Sequence, residues 1–460
     1  LPRLGNLGTI GEGHIVSTPA SPVKDRPLLT MISVFEKLCA DSLQDHSLPS
    51  GKKTEKTESG SQTEARHRRK FGSSEVLDKK SGKLKWVATE LNVDEHVVVP
   101  ELDQNMESPD KFVEDYICNL TKTDVDKTKP LWDVHILDIK TSDSECVIVY
   151  RVHHSIGDGT SLMALLLACC RKVSNPEALP SIPVMKKSSL IKNFGFWSVL
   201  RLVRNTIIGV LLFVATSLFL KDTETPIKAS QRVEKNARRI IRRTVNLDDV
   251  KLIKKAMNAT INDVVLGVSQ AGLSRYLNRR YSEIIDKIPN EEKNYLPKNI
   301  RLRAFSDIME KGNPVKWGNK IGHVVFPFTI GFREDPIDYV RKAKVTINQK
   351  KSSLEPFWTY VAGHLNYKVF SNTTLWFSNV PGTGDGIAYC GHEVSFYAPT
   401  FYGQPNALVI HVVSYVNKLI FIISAEEETI PDPHQLCDDL EESLNLIKAT
   451  VLAKQHIKDD

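Results

Sequence analysis

Residues 146–159 read Cys146-Val147-Ile148-Val149-Tyr150-Arg151-Val152-His153-His154-Ser155-Ile156-Gly157-Asp158-Gly159. The first seven residues are dense in apolar side chains, as in a strand covered on both faces. Neighbouring strand residues point to opposite sides. One of the paired histidines can therefore enter a site while the other packs behind it. Gly157 and Gly159 predict a sharp turn and a close approach to substrate. Asp158 precedes a helix predicted over 160–172, where a carboxylate caps free amides and complements the positive helix end. A zinc site would need companion ligands at fixed spacing, and the chain has no HExxH run or Cys/Asp cluster of that kind. A Ser-His-Asp hydrolase would need a G-x-S-x-G elbow, which is also missing.

Strand and helix patterns alternate on both sides of this stretch, so the fold class is α/β with mixed sheets. Strands are predicted at 85–91, 96–100 and 132–139, with a short amphipathic helix at 110–120 opened by Ser108-Pro109. Further on, helices are predicted at 248–256, 262–277, 335–350 and 434–454. Strands are predicted at 324–330, 373–379, 391–397, 408–415 and 418–424. A chain of 460 residues exceeds one ordinary core and predicts two domains of roughly 200 residues each. We divide it into 1–75, irregular; 76–185, a first domain holding the histidines; 186–236, a linker; and 237–460, a second domain. Within 1–75 only Leu28–Leu43 offers an apolar face.

The net charge of +6 is concentrated in residues 1–85. The remainder is nearly balanced, unlike a nucleic-acid binder with a basic face running through its fold. Seven cysteines, odd in number and scattered, argue against a disulfide framework and for a reducing compartment. Three N-x-[ST] matches, at Asn119, Asn258 and Asn372, are read as chance. No charged and then apolar leader opens the sequence. The most apolar run is Ile207–Leu220, IIGVLLFVATSLFL. As a helix it spans about 21 Å, against about 30 Å of hydrocarbon. Lys192, Arg201 and Arg204 precede it, and Lys221, Lys228, Arg232, Arg238 and Arg239 follow it. It reads as an interfacial or short membrane-inserted helix. The alternative is a buried helix of the second domain.

The motif HHxxxDG, placed after an apolar strand, is accompanied by Pro130-Leu131-Trp132, Asn262-Asp263-Val264-Val265-Leu266 and Leu296-Pro297-Lys298-Asn299-Ile300-Arg301. Gly318-Asn319-Lys320-Ile321-Gly322 and Ser378-Asn379-Val380-Pro381-Gly382 follow in the same order. With these motifs, residues 75–455 resemble the plant bifunctional wax ester synthase/diacylglycerol acyltransferases, within the CoA-dependent acyltransferases. The resemblance implies two chloramphenicol-acetyltransferase-like domains with a tunnel at their interface. It implies acyl-CoA as one substrate and a long-chain alcohol or diacylglycerol as the other. No cofactor, metal or nucleic acid enters this reading. His154 is the expected general base, because an imidazole with a reference pKa near ~6.5 suits removal of a hydroxyl proton. Asn262 is the candidate oxyanion donor, with helix capping as its alternative role. Asp158 and Gly159 hold the turn, and His153 supports the loop. The family's N-terminal strand–helix–strand unit, marked by Ser-Pro, is not recognisable in 1–75. A catalytically inactive homologue is therefore a second reading. A soluble secondary-metabolite acyltransferase is a third, weakened because no Asp-Phe-Gly-Trp-Gly run occurs. Oily substrates and the apolar helix imply a membrane surface. The expected site is the cytosolic face of the endoplasmic reticulum, with the plasma membrane as alternative.

Overall fold

The computed structural model describes residues 11–18, 69–78, 83–89, 91–180, 195–229, 233–285, 293–308 and 322–459. The segment Leu28–Leu43 and most of the Gly318–Gly322 motif lie outside them. In the first half the elements are β1 (Gly11–Thr18), β2 (Ser73–Asp78), β3 (Lys83–Ala88), β4 (Val97–Val98), α1 (Pro109–Thr121), β5 (Trp132–Leu137), β6 (Cys146–His153), α2 (Gly159–Cys169) and β7 (Cys170–Lys172). A long helix, α3 (Phe196–Leu218), leads into the second half. There follow β8 (Arg238–Asn246), α4 (Leu247–Ala256), α5 (Ile261–Ile285), β9 (Arg303–Ile308), β10 (Gly322–Pro327), α6 (Ile337–Lys351), α7 (Glu355–Val361) and α8 (Asn366–Asn372). The last elements are β11 (Leu375–Val380), β12 (Ile387–Tyr389), β13 (His392–Glu393), β14 (Phe396–Tyr402), β15 (Leu408–Tyr415), β16 (Lys418–Glu426) and α9 (Pro433–Asp459).

Two mixed sheets organise the molecule. The first has the order β14-β1-β6-β5-β4, and the second β10-β9-β11-β15-β16-β8. Every residue of β6 from Cys146 to Val152 is buried, as its dense apolar run demands, and the one charge among them, Arg151, is paired with Asp133. Helix α1 opens with proline in its first turn after Ser108 and buries Val113, Ile117, Cys118 and Thr121 along one face. Helix α4 is capped by the Asn246 side chain, with Asp248 and Asp249 at its positive end and Lys254 and Lys255 at its negative end. Helix α5 is buried along most of its length, including Val264, Leu266, Leu273, Tyr276 and Leu277.

Several sequence expectations are corrected. Residues 11–18, read as irregular, form β1, which pairs antiparallel with β6 (Gly11 opposite His153) and with β14 (Gly11 opposite Tyr402). The backbone of β1 thus fills the gap between the histidine strand and a strand from the far end of the chain. Residues 73–78 also pair, as β2 with β3. The predicted helix 160–172 stops at Cys169, because Cys170–Lys172 turn outward to pair with β12. Residues 391–397 are not one strand but the end of one hairpin and the start of β14.

Strand β8, RRIIRRTVN, was not predicted, and its Arg238 and Arg239 were read as cations flanking the apolar run. Its arginines are instead individually partnered. Arg238 is fully buried and donates to the Asn406 and Ser424 carbonyls, and burial pulls its pKa down to about 10. Arg239 bridges Asp115 and Glu427. Arg242 reaches Asp143, and Arg243 reaches Asp438 and Glu441. Arg239 and Arg242 thereby tie the second half to the α1 and β5–β6 regions of the first.

Candidate active site

His153 closes β6, where its backbone N–H donates to the Leu131 carbonyl. His154 is the next residue and points the other way. It lines a cavity of about 440 Å³ between the two sheets, whereas His153 does not line it. The alternation expected of a strand therefore separates the pair. The His153 Nδ1 lies 2.6 Å from the Ser155 hydroxyl. Its pKa is pushed down to about 4, first by burial and then by the charges of Lys127 and His154. His153 is thus a neutral support behind the loop.

Asp158 caps α2. One carboxylate oxygen accepts from the Ser161 backbone N–H at 2.9 Å, the Ser161 hydroxyl at 2.8 Å and the Thr160 hydroxyl at 2.8 Å. The side chain is almost buried. These hydrogen bonds tie the carboxylate to the first turn of α2. Gly159 is the first residue of α2 and lines the cavity. Neither Gly157 nor Gly159 takes the left-handed backbone conformation. What Gly159 offers is a wall with no side chain.

Asn262 reaches the same cavity from the start of α5. Capping of that helix is done by its neighbours. Asp263 accepts from the Thr260 backbone N–H at 2.7 Å, and the Asp263 N–H donates back to the Thr260 hydroxyl at 3.3 Å. The capping role considered for Asn262 is therefore taken by Thr260 and Asp263. Asn262 instead accepts through Oδ1 from the Asn379 side-chain amide at 2.9 Å. With the oxygen so engaged, its –NH₂ is the group available to donate. Asn379 lies one residue before the end of β11, within the Ser378–Gly382 run, whose sequence flagged the position without assigning it this task. Gly382 in the same run is required by close approach. A Cβ there would lie 1.9 Å from the Ser414 carbonyl oxygen.

The opposite wall holds polar groups that the sequence reading did not single out. His411 of β15 and Thr400 of β14 line the cavity, with Nδ1 and Oγ1 3.1 Å apart. The available signal was a histidine inside the otherwise apolar strand LVIHVVSY. Phe326, Phe377, Val324, Ile347, Met163 and Leu419 give the remaining wall an apolar character. Lys350 and Lys351 stand at the α6 side. Among the described residues no group of three or more His, Cys, Asp or Glu side chains could hold a metal ion.

Comparison with known proteins agrees with this architecture. Residues 51–265 match the wax ester synthase/diacylglycerol acyltransferase catalytic domain, and residues 317–448 match the WS/DGAT C-terminal domain. Wax ester synthase/diacylglycerol acyltransferase 6 of Arabidopsis thaliana is 44% identical over 445 residues, covering 85% of this chain and 86% of that protein. Wax ester synthase/diacylglycerol acyltransferase 5 of the same plant is 45% identical over 414 residues, covering 80% and 81%. Among solved structures, the wax ester synthase/diacylglycerol acyltransferase from Marinobacter aquaeolei VT8 superposes with a TM-score of 0.60 at 16% identity, covering 97% of this chain and 96% of that one. The first condensation domain of the CDA synthetase follows with a TM-score of 0.55 at 9% identity, covering 97% and 91%. These structural likenesses identify the fold as the paired chloramphenicol-acetyltransferase-like arrangement. The two domain matches and the Arabidopsis relatives show that this chain belongs to the wax ester synthase/diacylglycerol acyltransferase family.

Proposed function

We propose that the chain transfers a long-chain acyl group from acyl-CoA to a fatty alcohol, giving a wax ester, and to diacylglycerol, giving triacylglycerol, with the alcohol preferred. The observation that carries this reading is the meeting of His154 and Asn262, from different halves of the chain, on one largely apolar cavity. His154 takes the proton from the acceptor hydroxyl, and the oxygen attacks the thioester carbonyl. The Asn262 amide, oriented by Asn379, donates to the oxygen that gains charge in the tetrahedral intermediate. The C–S bond then breaks, and the imidazolium returns its proton to the departing CoA sulfur. The products are an ester and free CoA, with no acyl-enzyme and no cofactor. Asp158 keeps the loop and α2 in register and takes no proton. An apolar cavity favours transfer over hydrolysis by limiting water at the thioester.

The test offers purified chain a long-chain acyl-CoA with a fatty alcohol or a diacylglycerol, beside His154→Ala. Ester formed by the parent and lost in the variant supports the assignment. No ester from either acceptor with a folded preparation would overturn it. Because acceptor and product are oily and α3 is apolar, the proposed location is the cytosolic face of the endoplasmic reticulum membrane. Recovery of the chain wholly in the soluble fraction would refute that location.

A further inference from the structure

Helix α3 is 23 residues long, about 34 Å at 1.5 Å per residue, enough to cross about 30 Å of hydrocarbon. Only 28% of its most apolar window is buried, so it is not a core helix. Its outer side exposes Trp197, Leu200, Ile207, Ile208, Leu211 and Leu218. Yet its inner side is fastened to the globular body along the helix. Asn205 donates to the Gln349 carbonyl at 3.2 Å, and the Thr206 hydroxyl accepts from the Leu354 N–H at 2.8 Å. Gly209 lies against the buried carboxylate of Glu355, where a Cβ would come within 2.3 Å of Oε2. Phe213 sits in a cluster with Phe305, Phe370 and Trp376. The Thr216 hydroxyl accepts from Arg303, whose guanidinium pairs with Asp222 at 2.5 Å in a fully buried contact.

A helix crossing the bilayer would carry all of these partners into hydrocarbon, including an Arg–Asp pair and the Glu355–Lys350 pair at 2.7 Å. We infer that α3 lies in the plane of an anionic bilayer surface, outer face down, and does not span it. Helix α7 extends the same surface, exposing Phe357, Trp358, Tyr360 and Val361. Charge is complementary to an acidic lipid headgroup layer. The exposed cations on α3 are Arg201 and Arg204, α3 contains no acidic residue, and the one carboxylate of α7, Glu355, is buried. Trp197 and Trp358 supply the aromatic rings that favour the headgroup boundary. Glu355 joins this surface to the cavity wall. It accepts from the Val325 N–H at 2.9 Å and from Lys350, which lines the cavity. The docked face is thus one residue layer from the site where an oily acceptor is consumed.

The inference rests on the membrane location proposed above and is independent of the acyl-transfer chemistry. The test uses sealed microsomes from cells expressing the full chain with Gly195→Cys or Lys221→Cys, exposed positions flanking α3. Labelling by a membrane-impermeant maleimide is read against the unsubstituted chain, with and without detergent. In-plane docking predicts that both positions label fully before detergent. Labelling of either position only after detergent would overturn it. A chain found wholly outside the membrane fraction would refute the location itself. In parallel, purified chain is floated with phosphatidylcholine vesicles with or without phosphatidylserine. Leu211→Asp with Phe357→Asp should lower flotation at least tenfold while leaving the thermal unfolding midpoint near that of the parent. Unchanged flotation of that variant would show that another surface docks.

Discussion

Replacing Asp158 distinguishes a carboxylate that holds a turn from one that handles protons. Its Oδ1 accepts from one backbone N–H and two hydroxyls at the start of α2. Loss of an N-cap costs about 1 kcal/mol. Loss of hydroxyl bonds to an ionised acceptor costs about 1.5–3 kcal/mol. These terms share one atom and do not add fully. Asp158→Ala should therefore lower stability by about 3 kcal/mol in equilibrium urea unfolding. Asp158→Asn keeps a carbonyl oxygen in place and gives up chiefly the charge at the positive helix end, about 0.3–1 kcal/mol. In an assay with a long-chain acyl-CoA and a fatty alcohol, Asp158→Asn should keep kcat/KM within about fivefold of the parent, since 1 kcal/mol corresponds to roughly that factor. Asp158→Ala should lose more, because the turn carrying His154 loosens. A folded Asp158→Asn variant as inactive as His154→Ala would refute this reasoning and make Asp158 part of the proton path.

His154→Ala should lower kcat by about 10²–10⁴ without loss of stability, measured by steady-state ester formation. Asn262→Ala should lower kcat by about 10²–10³, and Asn379→Ala by less. The double variant should be no worse than Asn262→Ala, because one amide acts through the other; additive losses would separate their roles. Burial holds the pKa of His153 at about 4 in the folded chain, against about 6.5 when unfolded. The unfolded chain takes up the proton first, so this residue makes stability fall as pH drops from about 6.5 to about 4, by on the order of 3 kcal/mol. Urea unfolding across that window should show a flatter profile in His153→Gln. Gly382→Ala places a Cβ against the Ser414 carbonyl and should cost about 1–3 kcal/mol in the same unfolding assay.

The histidine strand, the turn and the capped helix were legible because each is local. A strand dense in apolar residues, two histidines and an aspartate before a helix define their own geometry. Asn262 was legible as a candidate. Its release from capping was not, because that depends on Thr260 and Asp263 pairing with each other in three dimensions. Asn379 and His411 join the site through the parallel pairing of β11 with β15, and Thr400 through its side-chain contact from β14 in the other sheet, long-range properties that no short window carries. Strand β1 was hidden for a similar reason. Its sequence, GEGHIVST, has weak strand character, and its pairing is set by β6 and β14 on either side. Arg238 and Arg239 of β8 read as flanking cations, since their carboxylate and carbonyl partners lie far away in the chain.

The position of β1 also bears on how the protein is made. Its two neighbours are β6 and β14, and Gly11 is opposite Tyr402 at one edge of the pairing. During synthesis β1 emerges long before β14 exists. The first sheet must therefore wait, with one edge of β1 unpaired, until residues 396–402 have left the ribosome. Such pairing between distant segments raises contact order and slows folding, and an exposed strand edge invites association with other chains in the interval. A ribosome stalled before residue 396 would present a half-formed sheet to the cell's chaperones.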